Sequence, residues 1–242
     1  SIASAMMGGI LSNNSSGMCC GVKYNAYHTL KSIRFMLPDG SIWDTSIPED
    51  YQRFETEKPQ LVQAILDSKQ KILNDEVLLH RIRTKYKTKN TVGYGLNALV
   101  DYSHPLDILA HLLIGAEGTL ACILSATLHT IPDYKYKSTG FLFFSSIAEA
   151  CAILPRLIEL GAEALELMDY ASLQSVLHVK GIPDIMHRLP IGASALLVDF
   201  QSDTILGLDE KINLAQNYIQ SLTLLEPCIF TQDPYNVLKV PL

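Results

Sequence analysis

Two glycine-rich stretches constrain this chain more than any other feature: residues 8–21, reading GGILSNNSSGMCCG, and residues 115–119, reading GAEGT. In the first, Gly8, Gly9, Gly17 and Gly21 are able to take positive φ or to admit a crowding group. Ser12, Asn13, Asn14, Ser15 and Ser16 add short side chains that bond the local backbone. A loop of this kind is a nest for a phosphate or a carbonyl edge, and the same composition also makes an ordinary polar surface turn. It matches neither a P-loop, since no Lys follows the second glycine, nor a G-x-G-x-x-G fingerprint. The second stretch follows an apolar helix-like run, 106–114, and leads into a strand-like run, 120–131. Two such loops, each beside apolar β-type sequence, imply one extended ligand gripped from two sides.

At 242 residues the chain is long for one domain, and a norm of roughly 150 residues per domain makes two units the expectation. With 48% hydrophobic residues both can build cores. The net charge of −6 is unevenly placed: 12 basic and 13 acidic residues up to Asp133, then 7 and 12 beyond it. No concentrated basic face of the kind phosphate backbones require is present, which excludes a nucleic-acid binder. No apolar run approaches the roughly 20 residues of a membrane span. Cys19, Cys20, Cys122, Cys151 and Cys228 form no CxxC pair and no metal-ligand spacing, and the histidines form no ligand-spaced pair, so no metal site is expected. The cysteines read as reduced thiols and the protein as cytoplasmic; adjacent Cys19 and Cys20 would make a strained disulfide, and small size explains them better.

Local patterns predict a hairpin, 30–37 and 41–43, around Pro38-Asp39-Gly40, where proline sets the entry and glycine takes the positive φ. Apolar residues at helical spacing predict one helix over 55–74 and a second over 75–83, followed by a loop at 88–95. After Pro132 the pattern restarts with a strand at 139–144 and a capping box, Ser146-x-x-Glu149, opening a helix that closes at Gly161. Strands at 164–168 and 195–200 and helices near 170–176 and 208–222 complete an α+β layer, with the boundary in 132–137. The series Arg81, Arg83, Lys85, Lys87 and Lys89 reads either as an electropositive lip for anions or as a solvated face.

The segments NNSSGMCCG, KTKNTVGYGLNALVDY, LLIGAEGTLACILSATLHTIP and EALELMD, in order along nearly the whole chain, resemble the FAD-dependent D-lactate and D-2-hydroxyglutarate dehydrogenases of the vanillyl-alcohol-oxidase fold. The nearest branch is the long bacterial proteins that fuse such a flavin unit to an iron–sulfur unit, although no iron–sulfur cysteine run occurs here. The resemblance implies an α+β protein: the second half of a PCMH-type FAD-binding domain at 1–134, then part of an FAD-linked oxidase cap domain at 135–242. It implies FAD as cofactor. Gly8, Gly9, Ser12, Asn13, Asn14, Ser16 and Gly17 would meet its pyrophosphate and flavin edge, and Glu117, Gly118 and Ile123 its adenosine end. Lys89, Asn90 and Tyr94 would lie near flavin or substrate.

In intact relatives a D-2-hydroxy acid gives its C2 hydride to the flavin, a base takes the hydroxyl proton, and electrons leave to a quinone, cytochrome or iron–sulfur acceptor. Departures from the family pattern are equally specific. Ala116 and Ala121 replace a serine and a glycine at the second loop, a change expected to weaken FAD binding by about 1 kcal/mol. Pro241 stands where a carboxylate-binding arginine is expected, and the first half of the FAD domain and the catalytic histidine and acids would lie in further sequence. The chain therefore reads as a segment of a dehydrogenase with no catalytic residue of its own, its FAD cleft completed by a partner segment. The alternatives are a non-catalytic flavin-binding or interaction fragment and, less directly, an alcohol or sugar-lactone oxidase of the same fold.

Overall fold

A computed structural model describes residues 4–17, 20–179 and 182–232. Cys19 of the adjacent pair and the terminal segment containing Pro241 lie outside the described residues. The chain divides into two compact units, Ser1–Ile131 and Pro132–Leu242.

The first unit runs α1 (Met7–Ser12), α2 (Ala26–Thr29), β1 (Leu30–Met36), β2 (Ile42–Asp44), α3 (Pro48–Glu57), α4 (Pro59–Leu73), α5 (Glu76–Lys85), α6 (Ala98–Asp101), α7 (Pro105–Leu112) and β3 (Cys122–Leu128). Its sheet has the order β2-β1-β3, every pairing antiparallel. The hairpin forms where turn chemistry demands it: Gly40 takes φ +84°, and the Asp39 carboxylate accepts from the Ser41 amide at 3.0 Å. Leu30, Ile33 and Phe35 of β1 point inward, where Trp43 of β2 meets Phe54 of α3 edge to face at 5.0 Å. Helices α4 and α7 cover the same core through Ile65, Ile72, Leu106 and Leu109.

The single helix expected over 55–74 is in fact two. Pro59 has no N–H to continue the α3 ladder, so Lys58 leaves the helical region at φ −124°, ψ 44° and Pro59 opens α4 at its first position. The strand expected over 120–131 is shorter, Cys122–Leu128.

The second unit runs β4 (Tyr136–Phe144), α8 (Ile147–Ala152), α9 (Leu154–Glu159), β5 (Ala164–Met168), α10 (Tyr170–Ser175), a 3-10 turn (Asp184–Arg188), β6 (Ser194–Ser202), α11 (Ile205–Ile219) and β7 (Phe230–Thr231). Its sheet is antiparallel throughout, in the order β5-β6-β4-β7. Alternate residues of the two central strands feed two separate clusters. Leu142, Phe144, Leu196, Val198 and Phe200 pack with α8, α9 and α11 on one face, while Phe141, Phe143 and Ala195 pack with Leu173, Met186 and Leu189 on the other. Two buried faces account for the near-continuous apolar run of β4.

The helix expected to run from the capping box to Gly161 also breaks, at Pro155, into α8 and α9; Gly161 does close it, at φ +87°. Ser146 Oγ accepts from the Glu149 amide at 3.3 Å, but Glu149 reaches back to the Ser145 amide at 3.1 Å. The box is thus displaced by one residue.

Candidate functional site

The glycine stretch that reads as one open loop is half helix. Gly8 and Gly9 lie in α1, anchored by buried Leu11, and neither takes positive φ; Gly21 does, at +51°. Leu11 overrides the low helix propensity of the glycines because burial outweighs it. Beyond α1 the chain turns through Asn14, whose φ is +47°.

The two loops expected to face each other across a ligand are bonded directly to one another. The Gly115 amide donates to the Leu11 carbonyl at 3.0 Å and the Glu117 amide to the Ser12 carbonyl at 2.9 Å. Gly115, at φ +89°, brings its backbone so close that an added Cβ would lie 3.4 Å from Asn14 Cβ. Among the described residues, Asn14 and Glu117 (φ +53°) are the two non-glycine residues with positive φ, and one sits in each loop. Backbone strain of this kind persists where neighbours over-determine the conformation, and it concentrates at ligand sites.

Those neighbours can be named. Asn14 Oδ1 accepts from the Tyr27 amide at 3.1 Å, and the Tyr27 hydroxyl donates to Asp101 Oδ2 at 2.8 Å. The Tyr27 ring packs edge-on to His111, which stacks on Tyr102 at 3.6 Å. Burial first, and the Asp101 carboxylate second, hold the Tyr27 phenol far above its ordinary ionisation range. Burial likewise lowers the His111 pKa; its Nδ1 bonds the Asp107 carbonyl at 2.8 Å, and its buried Nε2 has no partner. Asn14 thus braces the loop through its acceptor oxygen.

A third segment joins the patch. Lys89 Nζ donates to the Ser16 carbonyl at 3.2 Å, and the Tyr94 hydroxyl meets Thr119 Oγ1 at 2.9 Å. Because Thr119 gives its own proton to the Ala116 carbonyl at 2.6 Å, Tyr94 is the donor in that pair. Tyr86 pins the segment by donating to the Tyr94 carbonyl at 3.1 Å and accepting from the Leu96 amide at 3.0 Å. Asn90 is half-buried and bonds to neither glycine loop. Asn13 Nδ2 contacts Ser15 Oγ at 3.4 Å, and Gly17 is exposed.

Ile123 is placed elsewhere. It pairs with Phe35 in the sheet and packs, partly buried, against the core. Ala116 and Ala121 are buried, 3% and 8% exposed. Tyr27 and Tyr86 are parts of the site that the sequence reading passed over, whereas Gly115 and Thr119 lie in the second glycine stretch it marked. The partners of Gly115 and Thr119 are too distant in sequence to be inferred from it.

The fit to a phosphate-bearing cofactor can be tested on the atoms present. Added Cβ atoms at Gly8, Gly9 and Gly118 would meet nothing within 4 Å, so all three leave room for close approach. Ser16 Oγ is buried and without a hydrogen-bond partner, a vacancy that a ligand oxygen can satisfy. Lys89 supplies the nearby positive charge. These residues fit the pyrophosphate of a dinucleotide.

The unit also holds a larger apolar cavity, of about 640 Å³, between Leu37, Pro38, Leu61, Leu109 and Leu120. Its rim charges satisfy each other, Lys58 Nζ on Asp39 Oδ2, a contact that holds the Asp39 carboxyl well below the usual carboxylate range. Among the described residues no His, Cys, Asp and Glu group could hold a metal, and no helix is long and apolar enough to cross a membrane.

No protein-family model and no curated protein matches this sequence. Solved structures do match. Alkyldihydroxyacetonephosphate synthase in its P1 crystal form aligns with 88% of this chain at 14% identity and a TM-score of 0.51. The P212121 form aligns with 94% of the chain at 13% identity and a TM-score of 0.49. The likeness to this neighbour is one of fold alone. The chain spans about a third of its length, 32%.

Proposed function

We propose that the joined loops form one wall of an FAD site and that the chain is part of an FAD-dependent oxidoreductase acting on a D-2-hydroxy acid. The observation that carries the cofactor reading is the pair of bonds from Gly115 and Glu117 to Leu11 and Ser12, which lock two strained loops together, with the buried, unpartnered Ser16 hydroxyl in the first of them. The fold of the structural neighbour supports the same cofactor. The substrate class rests on the sequence resemblance of the segments 87–102 and 163–169.

FAD, when bound, supplies the hydride acceptor. The residues of this chain position and neutralise. Gly8, Gly9, Gly17 and Gly118 allow close approach, Ser12, Asn13 and Ser16 offer hydroxyl and amide groups, and Lys89 offsets phosphate charge. The Glu117 amide, held by the Ser12 carbonyl, fixes the second loop against the first. In this reading 1–134 is FAD domain and 135–242 cap domain, with a partner segment completing the cleft and the electron acceptor outside the chain.

Titration with FAD and with ADP, followed by amide resonances, tests the site. The expected outcome is perturbation confined to 8–17, 88–95 and 115–119, with Ser16→Ala weakening binding by about 1 kcal/mol and Lys89→Ala giving a loss that shrinks as salt rises. Resonances that stay unmoved in all three segments would overturn the reading. A binding unit without turnover is favoured by Pro241, which offers no guanidinium to a carboxylate. Dye reduction with D-lactate and excess FAD is accordingly expected to be absent, and robust reduction would reject that second reading.

A further inference from the structure

A second, smaller cavity of about 170 Å³ opens where α2, α5 and α6 meet, lined by His28, Arg83, Tyr86, Lys87, Asn97 and Asp101. Its groups are unusually arranged for a plain surface dimple. Arg83 and Lys87 are exposed, four positions apart, and neither makes an ion pair among the described residues. Both line the same cavity, where like charges repel, a cost that a bound anion between them would remove.

Part of the cavity lining is polar and fixed. Asn97 is 6% exposed and donates through Nδ2 to Asp101 Oδ2 at 3.1 Å, the oxygen that also accepts the Tyr27 hydroxyl at 2.8 Å. Both bonds fall on one carboxylate oxygen, so the other keeps its capacity to accept a proton from a ligand. His28, which also lines the cavity, has its Nδ1 engaged with Asn25 Oδ1 at 2.8 Å, which orients the ring. Tyr86 is already satisfied at its hydroxyl and contributes a wall.

A site lined by two unpaired cations and a fixed carboxylate acceptor suits one kind of ligand. Sulfate or a keto acid would satisfy the cations but meet Asp101 with no proton to share. A neutral alcohol would satisfy Asp101 but leave the cations unpaired. We infer that this cavity binds a small oxyanion that also carries a hydroxyl proton, such as hydrogen phosphate or a short hydroxy acid, with Arg83 and Lys87 pairing the charge and Asp101 accepting the hydroxyl. At roughly 30 Å³ per water the cavity holds five or six waters, enough for such an ion and too little for a nucleotide. The site is independent of the joined loops and does not rest on their cofactor.

The test uses the full chain and four probes: inorganic phosphate, sulfate, D-lactate and pyruvate. Phosphate or D-lactate is expected to shift the Asn97 side-chain amide and the Arg83 guanidinium resonances saturably, with the stronger of the two naming the physiological source. Sulfate and pyruvate should bind about tenfold more weakly. Arg83→Gln and Lys87→Gln, both at exposed positions, should each weaken phosphate binding by about tenfold while leaving the thermal transition unchanged. Unaltered binding in the double variant, equal affinity for phosphate and sulfate, or shifts confined to 13–17 and 115–119 would each overturn the proposal.

Discussion

The two sheets of this protein are stabilised in opposite ways. In the second unit β4 and β6 are buried on both faces, and their side chains are locked into two clusters. In the first unit β3 is an edge strand with Cys122, Leu124, Ser125, Ala126 and Thr127 all exposed, and one face of the sheet carries the core. The strained positions Asn14 and Glu117 both belong to the first unit. The contrast separates a unit whose shape follows from packing from one whose candidate site depends on a few long-range hydrogen bonds.

The largest expected effect lies in the doubly covered sheet. Phe200→Ala empties a fully buried position and should cost about 3–5 kcal/mol in a urea titration, whereas Leu124→Ala on β3 should stay within about 0.5 kcal/mol. Similar losses at the two sites would dissolve the contrast. Next comes Gly140→Ala, whose new Cβ would sit 2.7 Å from Phe230 Cε1 and 3.0 Å from Cys228 Sγ. Overpacking of that kind should cost about 1–3 kcal/mol, and trimming the ring with Phe230→Leu should recover part of it; no recovery would place the strain elsewhere.

A smaller effect, of opposite sign, is expected at the joined loops. Glu117→Gly removes the side-chain clash at φ +53° and should stabilise the first unit by about 1 kcal/mol, less the added chain entropy of glycine. A loss of stability would show that the Glu117 side chain contributes more than its strain. The subtlest test is of pH. His111 has a pKa below its ordinary 6.5 in the folded chain, so the unfolded chain binds the proton first as pH falls. Stability should therefore decline as pH drops through about 6.5 until the folded imidazole itself protonates, and His111→Phe should flatten that slope. An unchanged slope would remove His111 from the account.

Legibility in the sequence followed the range of the interactions involved. The Pro38-Asp39-Gly40 turn, the Ser146 cap and the Gly161 stop are written in adjacent residues, and each occurs. The divided helices were legible too, in Pro59 and Pro155, but apolar periodicity runs across both breaks and conceals them. Helix α1 contradicts its own glycines because Leu11 is drawn into the core. The candidate site was half visible: composition marked both loops, while the bonds from Gly115 to Leu11 and from Asn14 to Tyr27 depend on where the chain returns in space. Residue type identifies what a loop can hold; only the tertiary path decides which of its groups remain free to hold it.

The distribution of thiols has a practical consequence. Cys228 lies in the second unit's core with its thiol pushed up to about 12, whereas Cys122 of the first unit and Cys151 of the second are exposed. Each unit thus carries one thiol that reacts readily and, in the second, one that resists. With Cys19 and Cys20 changed to serine, a pair of nitroxide labels would attach at Cys122 and Cys151 without new cysteines. The native sequence already contains the two ends of a molecular ruler, one on each unit, able to report in solution whether a nucleotide or an oxyanion moves them.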